Sequence, residues 1–227
     1  MGLLVIFVVL TADEASRDTV LSQAAAVPER GNLRIGAGGA VDHTDSAVGG
    51  WASWSLGEGL SVWAGAGLGQ QALTSGLCVM WQVLNQSTSR VNLAASLRVR
   101  WFDGGAGSAV DLRLAVSRVV DRLALLLNAR AGTGVKGRAF VEAEGSLAAT
   151  VAIFEEVRVG LEASAGGIVP GSPAAPDDYA RALQVVAGPV ATVQLGPVRA
   201  QALFGANWQR KPWPLGATAR AVFSVDL

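Results

Sequence analysis

The sequence predicts an all-β fold: an antiparallel up-and-down transmembrane β-barrel of about twelve strands. Three observations carry that prediction. From Leu33 onward apolar residues alternate with small or polar ones, and turn-forming stretches interrupt the alternation every roughly 10 to 18 residues, the spacing of antiparallel strands on short connections. The composition is 51% hydrophobic and only 16% charged, with a mean hydropathy of +0.38, whereas soluble domains are roughly 25% charged. The longest apolar run, Leu3 to Leu10, falls far short of the roughly 20 residues a helical span needs, so the apolarity is spread by alternation. Third, the polar face is mostly Gly, Ala, Ser and Arg, with Lys only at Lys136 and Lys211. A soluble barrel or sandwich would dress its outside in Lys and Glu, whereas small residues and opposed charges suit a confined lumen.

The chain divides into three parts. Residues 1–12 open with MGLLVIFVVL, an apolar stretch before a small residue, and read as a signal peptide whose basic leading region is missing. Residues 13–31 have no period-2 pattern, end in Pro28 and Gly31 punctuation, and read as a polar periplasmic tail. Residues 32–227 are the expected barrel.

Its strands follow from parity. Leu33, Ile35, Ala37 and Val41 mark the first, with Arg34 opposite, and DHTDS follows. Val48, Ala52, Trp54 and Leu56 mark the second; GEG turns it into the third, with Leu60, Val62, Ala64, Ala66 and Leu68. Leu77, Val79, Trp81 and Val83 form the fourth, and after NQSTSR the fifth sets Val91, Leu93, Ala95, Leu97, Val99 and Trp101 against Asn92, Ser96, Arg98 and Arg100. DGGAGS leads to Val110, Leu112, Leu114 and Val116, opposed by Asp111, Arg113 and Ser117. Next come Leu123, Leu125, Leu127, Ala129 and Ala131 against Asn128 and Arg130. After GTGVKG, Ala139, Val141, Ala143 and Leu147 oppose Arg138, Glu142 and Glu144. After IFEE, Val157, Val159, Leu161 and Ala163 oppose Arg158, Glu162 and Ser164. The long GIVPGSPAAPDDY connection precedes a strand from Leu183 to Leu195. A Gly196-Pro197 turn then leads to Val198, Ala200, Ala202, Phe204, Ala206 and Trp208 against Arg199, Gln201 and Asn207, and QRKPWP delivers the last strand.

That last stretch, LGATARAVFSVDL, places Leu215, Ala217, Ala219, Ala221, Phe223, Val225 and Leu227 on one face and Gly216, Thr218, Arg220, Ser224 and Asp226 on the other, with Val222 the single exception. It resembles the closing strand of bacterial outer-membrane β-barrels, with Leu227 where an aromatic residue is usual. The resemblance implies a location in the bacterial outer membrane, lipid as the partner of the apolar face, and an even strand number that puts short turns on the periplasmic side and longer connections outside. It also implies an aromatic belt: Trp101, Trp208 and Trp213 at the outer rim, and Trp54 and Phe223 toward the inner one.

Chemistry of other kinds is disfavoured by composition. A net charge of +0 and a pI near 6.6 point to no nucleic-acid partner. The single histidine, His43, lies in an Asp42-His43-Thr44-Asp45-Ser46 loop, and catalytic triads are assembled from distant segments rather than from adjacent loop residues. One His and one Cys, Cys78, offer no metal-ligand spacing, and the glycine-rich runs are followed by no helix that would cradle a phosphate. No enzyme activity, metal or cofactor is expected.

The lumen remains. Parity points Arg34, Arg98, Arg100, Arg113, Arg130, Arg138, Arg158, Arg199 and Arg220 inward, with the acids Asp111, Glu142, Glu144, Glu162 and Asp226. Two readings follow. One is a narrow passive channel that prefers anions, similar to outer-membrane channels of about twelve strands with Arg-lined lumens that admit acidic oligosaccharides. The other is a non-conducting barrel filled by cross-strand ion pairs, acting as an outer-membrane anchor or as a subunit of an envelope-spanning complex.

Overall fold

The computed structural model describes residues 30–42, 46–69, 73–102, 107–136, 141–169, 183–209 and 215–227. They form twelve antiparallel strands and, among the described residues, no helix. In chain order these are β1 (Leu33–Asp42), β2 (Ser46–Gly57), β3 (Leu60–Gly69), β4 (Leu73–Leu84), β5 (Asn92–Phe102), β6 (Gly107–Val120), β7 (Leu123–Lys136), β8 (Val141–Ala152), β9 (Val157–Ile168), β10 (Gln184–Leu195), β11 (Val198–Gln209) and β12 (Gly216–Asp226). Each pairs with its neighbours in sequence, and β1 pairs with β12, so the sheet closes on itself and leaves no edge.

The seam between the first and last strands is fully registered, from Arg34 opposite Asp226 to Asp42 opposite Thr218. It is finished by backbone bonds exchanged between Leu33 and Leu227 and by an ion pair from Arg34 to Asp226. The amphipathic terminal stretch is thus the closing strand that its alternation predicts, with Val222 buried on the inner face as its parity requires.

Tight connections collect at one end of the barrel, here termed the turn end. Glu58 and Gly59, between β2 and β3, have φ values of 51° and 74°, the left-handed pair that a two-residue hairpin needs to match strand twist. Asp121, between β6 and β7, likewise has φ 51°. The opposite, loop end holds the connections 43–45, 70–72, 103–106, 137–140, 170–182 and 210–214, which lie outside the described residues. So do Arg138, Trp213, His43, the 1–12 segment and residues 13–29 of the tail. Lys136, placed by the sequence in a loop, instead ends β7.

Burial is inverted relative to a soluble protein. Leu112, Leu147, Leu161 and Phe204 are exposed on the outside, while Arg98, Asp111, Glu142, Glu162 and Arg220 are buried inside. Buried and exposed side chains alternate along the strands, as from Asp111 to Ala115, because successive side chains leave a pleated strand on opposite faces. Trp54 and Trp81 stand on the outer surface toward the turn end, with Phe223, and Trp101 and Trp208 stand toward the loop end. These positions suit amphipathic indoles at the two borders of an apolar band.

Closure of this kind has a simple signature. Kept unboiled in detergent, the protein is expected to migrate faster on a gel than after boiling, and its circular dichroism should be that of strand; a helix-dominated spectrum would contradict the closed barrel.

Candidate functional site

The site is the interior of the barrel, and one side of it is an ion-pair network. β5 and β7 contribute guanidiniums, β6 and β8 carboxylates, so opposite charges alternate along this wall, with Arg113 of β6, opposite Arg130 in register, the exception. Register places Arg98 opposite Asp111, Asp111 opposite Gly132, and Gly132 opposite Glu142. Asp111 lies at the centre: Arg98 Nε donates to its Oδ2 at 2.8 Å and Arg100 Nη2 to its Oδ1 at 2.6 Å. Arg100 Nη2 also donates to Glu142 Oε2 at 2.8 Å. Arg130 approaches Asp111 and Glu142 at 3.7 Å each and donates from Nε to Glu144 Oε2 at 3.0 Å. Three arginines thus meet three carboxylates in a compensated cluster. Arg100, at 0% exposure, is its most enclosed member, and its guanidinium lies 5.5 Å from the Phe102 ring centre.

A missing side chain makes room for this arrangement. Gly132 sits between Asp111 and Glu142 in the register, and a Cβ there would overlap Asp111 Oδ1. Only glycine lets the carboxylate settle against the β7 backbone within reach of both Arg100 and Arg130.

The adjoining side, from β12 round to β4, is aromatic. Trp51 and Trp63, at 4% and 7% exposure, point inward and cluster with Cys78 and Val222. The Trp51 ring lies over Gly36 so closely that a Cβ at 36 would collide with it. Neither indole N–H has a hydrogen-bond partner among the described residues. Smaller apolar groups complete the interior, Val186 with Val190 and Leu203, and Met80 with Ala94 and Ala115.

Of the residues that sequence parity points inward, the network unites Arg98, Arg100, Asp111, Arg130, Glu142 and Glu144. Arg113, Glu162 and Arg220 are buried on the same inner face, each engaged with neighbours, but on β6, β9 and β12. Arg34 pairs with Asp226 at the turn end. Arg158 and Arg199 also lie there, the first donating to Thr150 Oγ1 at 3.3 Å and the second to Gln194 Oε1 at 3.0 Å. The sequence reading did not assign Trp51 and Trp63. The signal was present, because each is flanked by outward residues, Ala52 after one and Val62 and Ala64 around the other.

No protein-family model matches this chain, and no curated protein matches it. Solved structures do. The chain superposes on the NanC porin with a TM-score of 0.64 at 8% identity, covering 86% of this chain and 100% of that one. A COG4313 outer membrane channel from Pseudomonas putida F1 gives 0.62 at 10%, covering 89% and 97%. A KdgM porin in complex with disordered oligogalacturonate gives 0.62 at 9%, covering 86% and 99%. The fold is therefore that of small outer-membrane porins and channels.

Proposed function

We propose that the chain is a bacterial outer-membrane barrel acting as a narrow passive channel for small solutes, with a preference for anions. The observation that carries this reading is the inverted burial: an outer surface of Leu, Val, Phe and Trp suited to lipid, wrapped around a charged interior. The turn end then faces the periplasm and the loop end the exterior. The described inward arginines are Arg34, Arg98, Arg100, Arg113, Arg130, Arg158, Arg199 and Arg220, and the inward acids Asp111, Glu142, Glu144, Glu162 and Asp226. Eight minus five leaves an excess of three positive charges, and arginine does not release its proton. A path lined this way, between low-dielectric walls, holds a field that favours anions. The polyanion in the KdgM porin complex is in keeping with that preference.

Planar bilayers provide the test. Purified protein should give small unitary conductances with reversal potentials on the anion side, and replacing Arg98, Arg100 and Arg113 together by Ser should move them toward cations. An unshifted reversal potential in a variant that still shows the unboiled gel band would remove the anion preference.

One observation favours a second reading. Inward side chains from Trp51 on β2 to Ser224 on β12 are buried, as in a barrel closed by its own side chains. A non-conducting anchor, or a subunit held by other envelope proteins, is built that way; absence of conductance under all conditions would establish it over the channel.

A further inference from the structure

We infer that the network of Arg98, Arg100, Asp111, Arg130, Glu142 and Glu144 is a charge latch on the lumen wall, opened when the carboxylate of an entering solute replaces Asp111 or Glu142 on the Arg100 guanidinium. The inference rests on the channel reading and adds to it how the closed lumen opens.

The first argument is the state of Arg100. A guanidinium has five N–H donors, yet both hydrogen bonds from Arg100 to carboxylates leave from Nη2, while its Nε and Nη1 have no hydrogen-bond partner among the described residues. A buried guanidinium with idle donors is under-satisfied, and burying its charge carries a desolvation cost that only well-made bonds offset. A free carboxylate can bind in the fork geometry that Asp111 and Glu142, each tethered to its own strand, do not provide. The displaced carboxylate stays on its strand, so the incoming one adds a negative charge, which the excess of inward arginines offsets while Asp111 keeps Arg98 as its partner.

The second argument is mobility. Every member is a side chain on a strand that is continuously paired to its neighbours, from β5 through β8. Opening therefore needs rotamer changes and no movement of backbone or loop. Glycines flank the moving parts: a Cβ at Gly76 would still stand 3.8 Å from Arg100 Cγ, and Gly132 leaves the space that the Asp111 carboxylate occupies.

The third is position. The latch lies on the β5 to β8 wall, and the wall that adjoins it through β4, with Trp51 and Trp63 lying against Gly36 and Gly65, is apolar. No charge in that aromatic cluster competes for the arginines; the charge that adjoins the latch is Arg113, opposite Arg130 in register.

The experiment uses the full chain in planar bilayers, with succinate as the carboxylate probe. In KCl alone the wild type should be mostly closed, and millimolar succinate should raise its open probability several-fold. Glu142→Gln should raise open probability without succinate and weaken the response to it. Gly132→Ala retains every charge but displaces Asp111 from Arg100, and should do the same. Wild-type conductance that ignores succinate, or variants that keep the unboiled gel band and behave as wild type, would overturn the latch while leaving the channel intact. Silence of the wild type and both variants, with and without succinate, would overturn the channel reading and the latch with it.

Discussion

Leu112→Arg is expected to lower the stability of the folded barrel by about 2 to 4 kcal/mol, the cost of a basic side chain on the lipid face at mid-depth. Leu112 occupies the middle of β6, is 53% exposed on the outer surface, and is flanked in register by Leu97 and Ala131. Arg113, the next residue, is 5% exposed and faces inward, so Arg113→Lys keeps the lumen charge, places none in lipid and should cost far less. Depth sets a second comparison: Leu125 lies two residues from the turn end of β7, where arginine reaches the interface, and Leu125→Arg should cost only about 0 to 1 kcal/mol. Urea titrations in lipid vesicles, followed by tryptophan fluorescence, give all three values. Equal costs for the substitutions at 112 and 113 would reverse the assignment of faces on which the fold reading depends.

That pair of neighbours also shows what was legible in the sequence. Inside and outside were, because strand side chains alternate with a period of two and the contrast between Leu112 or Leu114 and Asp111 or Arg113 is strong. Strand number was legible as well, since each strand is bounded by turn-forming residues. Which charge meets which was not. Cross-strand partners depend on register, and register depends on turn geometry and on the twist accumulated around a closed sheet. Of the five inward acids, Asp111 is the centre of the network because register sets Arg98 beside it on β5 and a glycine beside it on β7. Trp51 and Trp63 were hidden for another reason. An indole in a membrane barrel suggests a rim, and what turns these two inward is a parity that a residue-type argument overlooks, supported by the space at Gly36 and Gly65.

The two sides of the lumen are held by different physics. The aromatic side gains from contact area and dispersion, which do not depend on salt. The charged side depends on each member having its partner, since a buried pair adds little net stability while a buried charge left alone is costly. Perturbation of the lumen should therefore be felt first on the β5 to β8 side, and most strongly at Asp111, which contacts Arg98, Arg100 and Arg130.

Asp111→Ala is accordingly expected to destabilise the barrel by about 3 to 5 kcal/mol, the range for removing one partner of a buried ion pair. Asp226→Ala removes the partner of Arg34 at the turn end, where both side chains are partly exposed, and should cost about 1 kcal/mol or less. The same urea titrations measure both. The comparison also reads the state of the lumen: a large gap between the variants means that the network rests in a dry, closed interior, as the latch requires. If Asp111→Ala costs no more than Asp226→Ala, water already reaches Arg98, Arg100 and Arg130 in the resting barrel. Opening would then need no displacement of the Asp111 carboxylate, and the lumen would be a standing, solvated pore.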